Sequence, residues 1–194
     1  RRAGSLGKMA LEVAYQCLAG RTGVPTVFVS RHGEVARAVD LLGDLASDTP
    51  LSPTAFGLAV HNASAGLFSI ARADRANHVA LAAGADGVEH AVIEACGQLA
   101  DGAGAVLLVA YDCPLPDRLA QFHDCDEQPY AFAWLLVPAA DAPFSLGWSA
   151  CADDCVPAAG AMPAGLEVLR FHLSGQDVLE RRSGPRRWLW TRHV

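Results

Sequence analysis

The stretch SPTAFGLAVHNASAGLFSIARADRANHVALAAGADGVEH, from Ser52 to His90, decides the fold predicted for this chain. Its apolar residues first recur at helical spacing, and a short β-run follows at Val79–Leu81. A glycine-bearing turn then leads into a second helix. A helix, a strand, a tight turn and another helix in this order are typical of an α/β fold.

Short apolar runs on both sides of this stretch continue the alternation of strands and helices. Thr26–Val29 indicates a buried strand, and the unbroken run AVLLVA at Ala105–Ala110 is typical of a central strand in a parallel sheet. We therefore predict a mixed, mainly parallel sheet flanked by helices. Farther along, Ala131–Val137 and Phe144–Ser149 are predicted to pair as antiparallel neighbours across a short turn.

Composition narrows the class of protein. The chain has 194 residues, 52% of them hydrophobic and 19% charged, which predicts a single globular domain over residues 1–194 rather than disorder. A net charge of −6 without a basic stripe argues against a nucleic-acid partner. No apolar run reaches the roughly 18 residues of a membrane helix. Without a secretion signal, the six cysteines are expected to be reduced and the protein cytoplasmic.

The first part of the stretch predicts one long helix with a face of small residues. Five apolar residues recur at helical spacing, namely Phe56, Val60, Ala63, Leu67 and Ile70. Ala59, Ala63 and Gly66 form a flat strip that another helix or a sheet could approach closely. His61 and Asn62 lie between two apolar turns, so both are expected to be buried with polar partners.

The turn after Leu81 is the place where an acyl-transfer enzyme would carry a nucleophile. Backbone N–H groups and the helix dipole at such a turn lower the pKa of a thiol and stabilise an oxyanion. Here the turn reads Ala83-Gly84-Ala85-Asp86-Gly87 and contains no Cys, Ser or Thr. Asp86 and Glu89 have the spacing of a capping box. Taken alone, the turn is most simply a helix start packed tightly on its strand.

Cys113 is an alternative nucleophile. It follows the central strand, at the sheet edge where ligands of α/β proteins usually bind. It would need His61, His90 or His123 as its base, and the sequence alone does not bring any of them near. A structural thiol before a proline turn is the competing interpretation.

Other motifs predict neither a metal nor a cofactor. Cys151 and Cys155 form one close pair without a second pair or a nearby histidine, which makes a weak zinc site. The glycines around Gly84 lack the spacing of a dinucleotide fingerprint, and there is no Walker A motif. Near the C-terminus, four arginines are expected to form a solvated rim: Arg181, Arg182, Arg186 and Arg187.

The segment FGLAVHNASAG, Phe56–Gly66, resembles the β-ketoacyl synthase family, in which a Phe, then Val-x-Asn, then Ala-x-Gly is typical of the helix before the nucleophile strand. The resemblance continues through Val79–Val92 and Ala105–Ala110. It covers Ser5–Asp112 well and the remainder loosely. It implies half of a thiolase-like fold. The active-site Cys of the family falls at about Gly84, and the later half that carries two catalytic histidines does not fit in the residues left.

The resemblance therefore implies a non-catalytic subunit. Small ketosynthase-like proteins of bacterial aryl-polyene and related polyketide or fatty-acid clusters resemble chain-length factors, the inactive partners of a full ketosynthase. The expected partners are a full-length β-ketoacyl synthase, in a heterodimer, and an acyl carrier protein with its acyl chain. The expected interface or acyl-tunnel residues are Phe56, Leu58, Ala59, His61, Asn62, Ala63, Leu67, Val79 and Leu81.

Two alternatives belong to other functional classes. One is a thioester hydrolase or acyltransferase that uses Cys113 and a histidine. The other is a stand-alone homodimer that binds acyl chains or an acyl carrier protein without any reaction.

Overall fold

The computed structural model describes residues 3–139, 141, 143–155 and 160–193, with only the backbone of residues 152–155. Its helices are α1 Ser5–Leu18, α2 Val35–Ala46, α3 Pro53–Gly57, α4 Ala63–Arg72, α5 Gly87–Ala100 and α6 Ala164–Leu173. Its strands are β1 Thr26–Val29, β2 His78–Leu81, β3 Val106–Asp112, β4 Tyr130–Leu136, β5 Phe144–Cys155 and β6 Val178–Arg192. Short 3₁₀ turns span Gly84–Asp86 and Asp117–Phe122.

The main sheet has four strands in the order β2-β1-β3-β4. The first three run parallel, and β4 is antiparallel to β3. All seven residues of β3 are buried, as the run AVLLVA predicted. The prediction of a mixed, mainly parallel sheet flanked by helices is therefore confirmed.

The side chains of the central strands pack alternately in two separate hydrophobic cores, because successive side chains of a strand point to opposite faces of the sheet. Leu107, Val109 and Tyr111 pack against α1 and α4 on one face. Val106, Leu108 and Ala110 pack on the other face against α5, α6 and the second sheet. The helix that follows the glycine turn is thus held between two sheets.

The second sheet corrects one prediction. Phe144–Ser149 was expected to pair with the strand at Ala131–Val137, but β5 pairs antiparallel with β6 in a separate two-stranded sheet. The side chains of Trp188 and Trp190 lie on one face of β6 and are buried. They supply an apolar face that packs on α5, where the ring of Trp188 lies 5.3 Å from that of His90 between centroids.

The single helix predicted over Phe56–Ile70 is wrong, because the chain breaks into α3 and α4. Gly57 ends α3, and a turn covers residues 58–62. Within that turn, the His61 Nε2 atom lies 3.0 Å from the carbonyl oxygen of Ser30. This contact holds the turn against the loop after β1, so the helical ladder is interrupted there. As a result, two residues of the predicted apolar helix face, Phe56 and Ile70, point to solvent and are 68% and 77% exposed.

Bilayer-spanning helices are absent from the described part of the chain, since none of its helices combines sufficient length with sufficient apolarity.

Candidate functional site

The turn between β2 and α5 has the shape of a nucleophile elbow and no nucleophile. Gly84 adopts φ +56° at its apex, a left-handed conformation that glycine reaches without a steric penalty. Gly84 is exposed, and a Cβ built on it would meet no atom within 4 Å. Behind it Gly87 lies so close to β1 that an added Cβ would be 3.0 Å from Val29. The strand-to-helix turn is therefore tightly packed on the side of β1, at Gly87, and open to solvent at Gly84.

A buried ion pair anchors this elbow to the second sheet. Glu89 is fully buried and accepts a hydrogen bond from Arg181, which is 7% exposed. Arg181 also donates to the backbone oxygen of Ala85 at 3.3 Å and to Glu167 at 3.0 Å. Trp190 Nε1 donates to Glu89 at 3.4 Å. The carboxylate of Glu89 is thus part of the core and does not cap α5.

Sequence reasoning missed this pair. Glu89 was assigned to a capping box and Arg181 to a solvated rim, and both assignments are wrong. Asp86 makes no side-chain cap hydrogen bond, and it pairs instead with Arg186 at 3.3 Å. Leu179, two residues before Arg181, also packs inward, but the buried Trp188 and Trp190 lie an odd number of positions away, so simple alternation does not place Arg181 inside. Nothing in the sequence says that β6 passes under α5.

A second polar network lies at the carboxyl ends of β1 and β3, next to the elbow. Asp112 is 6% exposed and accepts three hydrogen bonds, from Ser30 Oγ at 2.8 Å, Arg31 N at 2.9 Å and Tyr130 OH at 3.0 Å. Burial raises the pKa of the Asp112 carboxyl above its ordinary 3.8, although these donors oppose the shift. The network closes the floor beneath the elbow and leaves a cavity of only about 10 Å³ there.

The side chain of Arg31 extends this network to the loop before β4. It donates to Asp124 at 2.5 Å, to Glu127 at 3.2 Å and to the sulfur of Cys125 at 3.0 Å. Ligand atoms of these three residues lie within 4.8 Å of one another, but they already surround a guanidinium group. Burial raises the pKa of the Cys125 thiol to about 11. The cluster consequently works as an ion-paired brace for the loop.

His61 and Asn62 differ from each other in their surroundings. His61 is half-buried, and a Cβ added to Gly33 would lie 2.8 Å from its ring, so the ring sits tightly in the loop after β1. Asn62 is exposed at the start of α4. Among the described residues, a polar partner of the side chain is found for His61 but not for Asn62.

The other predicted interface residues differ in their exposure to solvent. Phe56 is well exposed, whereas Ala63 is only 8% exposed and belongs to the interior. Four residues are half-buried: Leu58, Ala59, Leu67 and Val79. Leu81 is also half-buried, at the end of β2. Except for Ala63, these side chains could therefore contact a partner without any change in the chain.

Strand β2 ends the main sheet, and its outer edge is unpaired among the described residues. Thr26 N bonds to Asn77 O, and Ser30 N bonds to Leu81 O, so alternate residues of this strand turn their backbone groups toward β1. His78 and Ala80 lie between them in the alternation and turn their N–H and C=O groups to the free edge. A second strand could add to the sheet there.

An exposed apolar surface adjoins α3. The helices α2 and α3 pack against each other, and the apolar side chains beside that contact face outward. Leu42 is 63% exposed and Leu45 is 59% exposed. Together with Phe56 and Val60, they form an apolar area of the kind that marks protein–protein contacts.

Cys113 lacks the environment of a catalytic thiol. Burial, Asp112 and Glu34 raise its pKa above the ordinary value, which keeps the thiol protonated. The three candidate bases have other partners: His61 contacts Ser30, His90 contacts the carbonyl of Asp86, and His123 contacts Glu127. Among the described residues, no hydrogen bond joins Cys113 to a histidine. The geometry gives no support to a Cys–His pair.

The cysteine pair at Cys151 and Cys155 lies on β5. Cys151 is half-buried, and the side chain of Cys155 lies outside the described residues. The weak zinc interpretation is therefore not tested by the geometry.

Comparison with known proteins gives a family and a structural relative. Residues 1–191 match the family model described as "Beta-ketoacyl synthase, N-terminal domain". The fold superposes with a TM-score of 0.88 on a chain of the structure "Ketosynthase (ApeO) in Complex with its Chain Length Factor (ApeC) from Xenorhabdus doucetiae". The two chains are 27% identical, and the match covers 99% of this chain and 79% of that one. No curated protein matches the chain in sequence.

Proposed function

We propose that this chain, which belongs to the family of β-ketoacyl synthase N-terminal domains, is a chain-length factor: a non-catalytic subunit that pairs with an active β-ketoacyl synthase. The observation that carries the proposal is the elbow at Gly84. It keeps the strand, the left-handed turn and the helix of a nucleophile elbow, but its apex residue has no side chain. A pairing role would retain this framework without using its chemistry.

The likeness to a complex of a ketosynthase with its chain length factor supports a ketosynthase as the partner. The free edge of β2 offers a backbone surface for such pairing, since two edge strands can join into one continuous sheet. Exposed apolar side chains at Phe56 and Val60 lie on the segment that precedes this strand. Burying them against a partner would be favourable.

The proposed seam consists of residues from α3 through β2: Phe56, Leu58, Ala59, His61, Asn62, Leu67, Val79 and Leu81. Side chains at the seam would form part of the wall of the partner's acyl tunnel, where the volume of one side chain limits how far an acyl chain extends. The tunnel contents would be an acyl chain delivered by an acyl carrier protein, in a polyketide or fatty-acid pathway of the aryl-polyene type. The assembly would work in the cytoplasm.

Substitutions at Ala59 and at Ala63 are expected to affect different properties of the chain, partner binding in the first case and folding in the second. Ala63 is buried, so a large residue there would disturb the interior of the chain itself. Ala59 is half-buried in the turn between α3 and α4, so a large residue there reaches the proposed seam first. We therefore expect a large residue at Ala59 to affect partner binding before folding, and a large residue at Ala63 to affect folding.

The test is a co-expression pull-down with a full-length β-ketoacyl synthase from the same organism. We expect Ala59→Trp to weaken binding about 100-fold, a hot-spot-sized loss, with unchanged unfolding behaviour. Ala100→Trp, the same change at an exposed position on the far end of α5, serves as the matched control. Equal binding by both variants, or no complex with the unmodified chain, would refute the proposal.

Native mass spectrometry separates this function from the acyl-binding homodimer. A homodimer that does not exchange subunits with the synthase would favour that alternative.

A further inference from the structure

A large apolar cavity opens on the side of the main sheet opposite to β2. It lies between α5, the end of β4, the start of β5 and α6, and has a volume of about 890 Å³. Cavities that hold small molecules in proteins have volumes of roughly 300–1,000 Å³. β5 pairs with β6, so in the described part of the chain β4 has no strand on its outer side, and the cavity opens there.

The lining of the cavity is apolar and uncharged. The lining residues that the structure describes include no Asp, Glu, Lys or Arg. Aromatic rings form much of the wall: Trp134, Phe144, Trp148, Phe171 and Trp190. The aliphatic wall on α5 consists of Val92, Ile93 and Leu99. A charged ligand would lose its hydration here without any compensating partner.

Besides the thiol of Cys96, His172 is an ionisable group in the described lining, and its protonation would place a positive charge in the cavity. Its ring lies 5.1 Å from the ring of Trp134 and 5.2 Å from that of Phe144, measured between centroids. Burial and the nearby Arg192 lower the pKa of His172 below its ordinary 6.5, so the imidazole is neutral at physiological pH. A neutral imidazole leaves the cavity without a charge.

Water in this space gains few hydrogen bonds from the walls. A buried water needs two to four polar partners, and this lining offers mainly hydrocarbon and ring surface. The exposed Trp148 and Val137, 62% and 54% accessible, extend the apolar surface to the mouth. The free chain therefore presents solvent with a concave apolar space that a ligand of matching polarity would occupy favourably.

We propose that this cavity is a binding site for a neutral, apolar small molecule. It does not depend on the proposed pairing with a ketosynthase, because the cavity and the β2 edge lie at opposite ends of the sheet. The uncharged lining and the aromatic walls define the ligand class as an uncharged hydrocarbon or aromatic compound.

The chain carries its own reporters for a test. Cys96 lines the cavity and is exposed, so an occupant would shield its thiol from alkylation. Cys151 does not line the cavity and serves as the internal reference. Three of the four tryptophans, Trp134, Trp148 and Trp190, line the cavity and would respond to a ligand.

The experiment titrates the purified chain with the neutral dye N-phenyl-1-naphthylamine. We expect a saturable rise in dye fluorescence with one site per chain, and slower alkylation of Cys96 but not of Cys151. Ile93→Trp fills the α5 wall and should weaken dye binding about 10-fold or more, whereas Ile70→Trp, on exposed α4, should leave it within about 2-fold.

Three results would overturn the proposal. The first is the absence of saturable dye binding. The second is equal loss of binding in both isoleucine variants. The third is sedimentation of the chain as a dimer whose Cys96 is already protected without dye, which would identify a second copy as the occupant.

Discussion

The carboxylate of Asp112 lies in the interior, where it accepts hydrogen bonds from two residues of the loop after β1 and from one residue of β4. Ser30, the backbone of Arg31 and Tyr130 would all lose their acceptor if this side chain were removed. Unsatisfied buried donors cost about 1–3 kcal/mol each in stability. The residue thus links the central strand to both its neighbours at the base of the elbow.

We predict that Asp112→Ala lowers the free energy of unfolding by about 3 kcal/mol, since it strands buried donors. Asp112→Asn keeps an acceptor and the shape of the side chain, and should cost less than about 1 kcal/mol. Urea denaturation of the two variants and the unmodified chain measures both values. Equal losses for Ala and Asn would contradict the assigned role.

The difference in unfolding free energy between the unmodified chain and Asp112→Asn should depend on pH in a direction that the pKa of Asp112 determines. The pKa of Asp112 in the folded chain is raised above 3.8, so the folded state holds this proton more tightly than the unfolded state. Its contribution to stability is fully present below pH 3.8 and is lost as the pH rises through the folded pKa. The stability of the unmodified chain relative to Asp112→Asn should therefore fall with rising pH in that range. A flat difference would show that burial does not shift this group.

The features that could be predicted from the sequence are those that a few consecutive residues encode. The missing nucleophile at Gly84 and the buried strand at Ala105–Ala110 could be seen in consecutive letters. The Asp112–Tyr130 bond and the Glu89–Arg181 pair join residues 18 and 92 positions apart. Such partners are set by how the elements pack, which local spacing does not contain.

Strand β2 lies at the edge of the main sheet. One of its edges is paired with β1, while the other is free among the described residues. His78 and Ala80 present their backbone groups on that free edge. A partner strand would bind there through main-chain hydrogen bonds rather than through any one side chain.

We predict that Ala80→Pro weakens ketosynthase binding while the chain remains folded. Proline removes one N–H from the free edge and leaves the β1 side of the strand its hydrogen bonds, which is why edge strands tolerate it. Isothermal titration with the ketosynthase should show an affinity loss of about 10-fold, the size of one hydrogen bond.

Ala80→Val is the matched control for this change, because valine keeps the N–H and suits a strand. Its affinity should match that of the unmodified chain. If Val and Pro reduce binding alike, a side-chain clash rather than backbone pairing is responsible.

The elements also show where helical periodicity misleads. The spacing of Phe56, Val60 and Ile70 fits one amphipathic helix, yet the chain breaks at residues 58–62 and exposes all three side chains. Gly57 and the contact of His61 with Ser30 cause the break, and the second of these is a tertiary contact. Apolar residues at helical spacing can therefore mark an intermolecular surface as well as a core.

For the whole molecule, two surfaces lie at opposite ends of one sheet. The β2 edge and its neighbouring apolar residues form the proposed seam, and the apolar cavity beside β4 forms the proposed ligand site. Between them, the Glu89–Arg181 pair anchors the elbow at Gly84 to the second sheet, and the Asp112 network lies beneath it. A rigid elbow without a nucleophile is consistent with a subunit that supports another protein's active site.

The most direct test is native mass spectrometry of this chain co-expressed with a full-length β-ketoacyl synthase from the same organism. We predict one dominant species that contains one copy of each chain, and condensation of acyl and malonyl thioesters by that complex but not by this chain alone. Separate species without a mixed complex, or condensation by the purified chain alone, would contradict the assignment as a non-catalytic partner subunit.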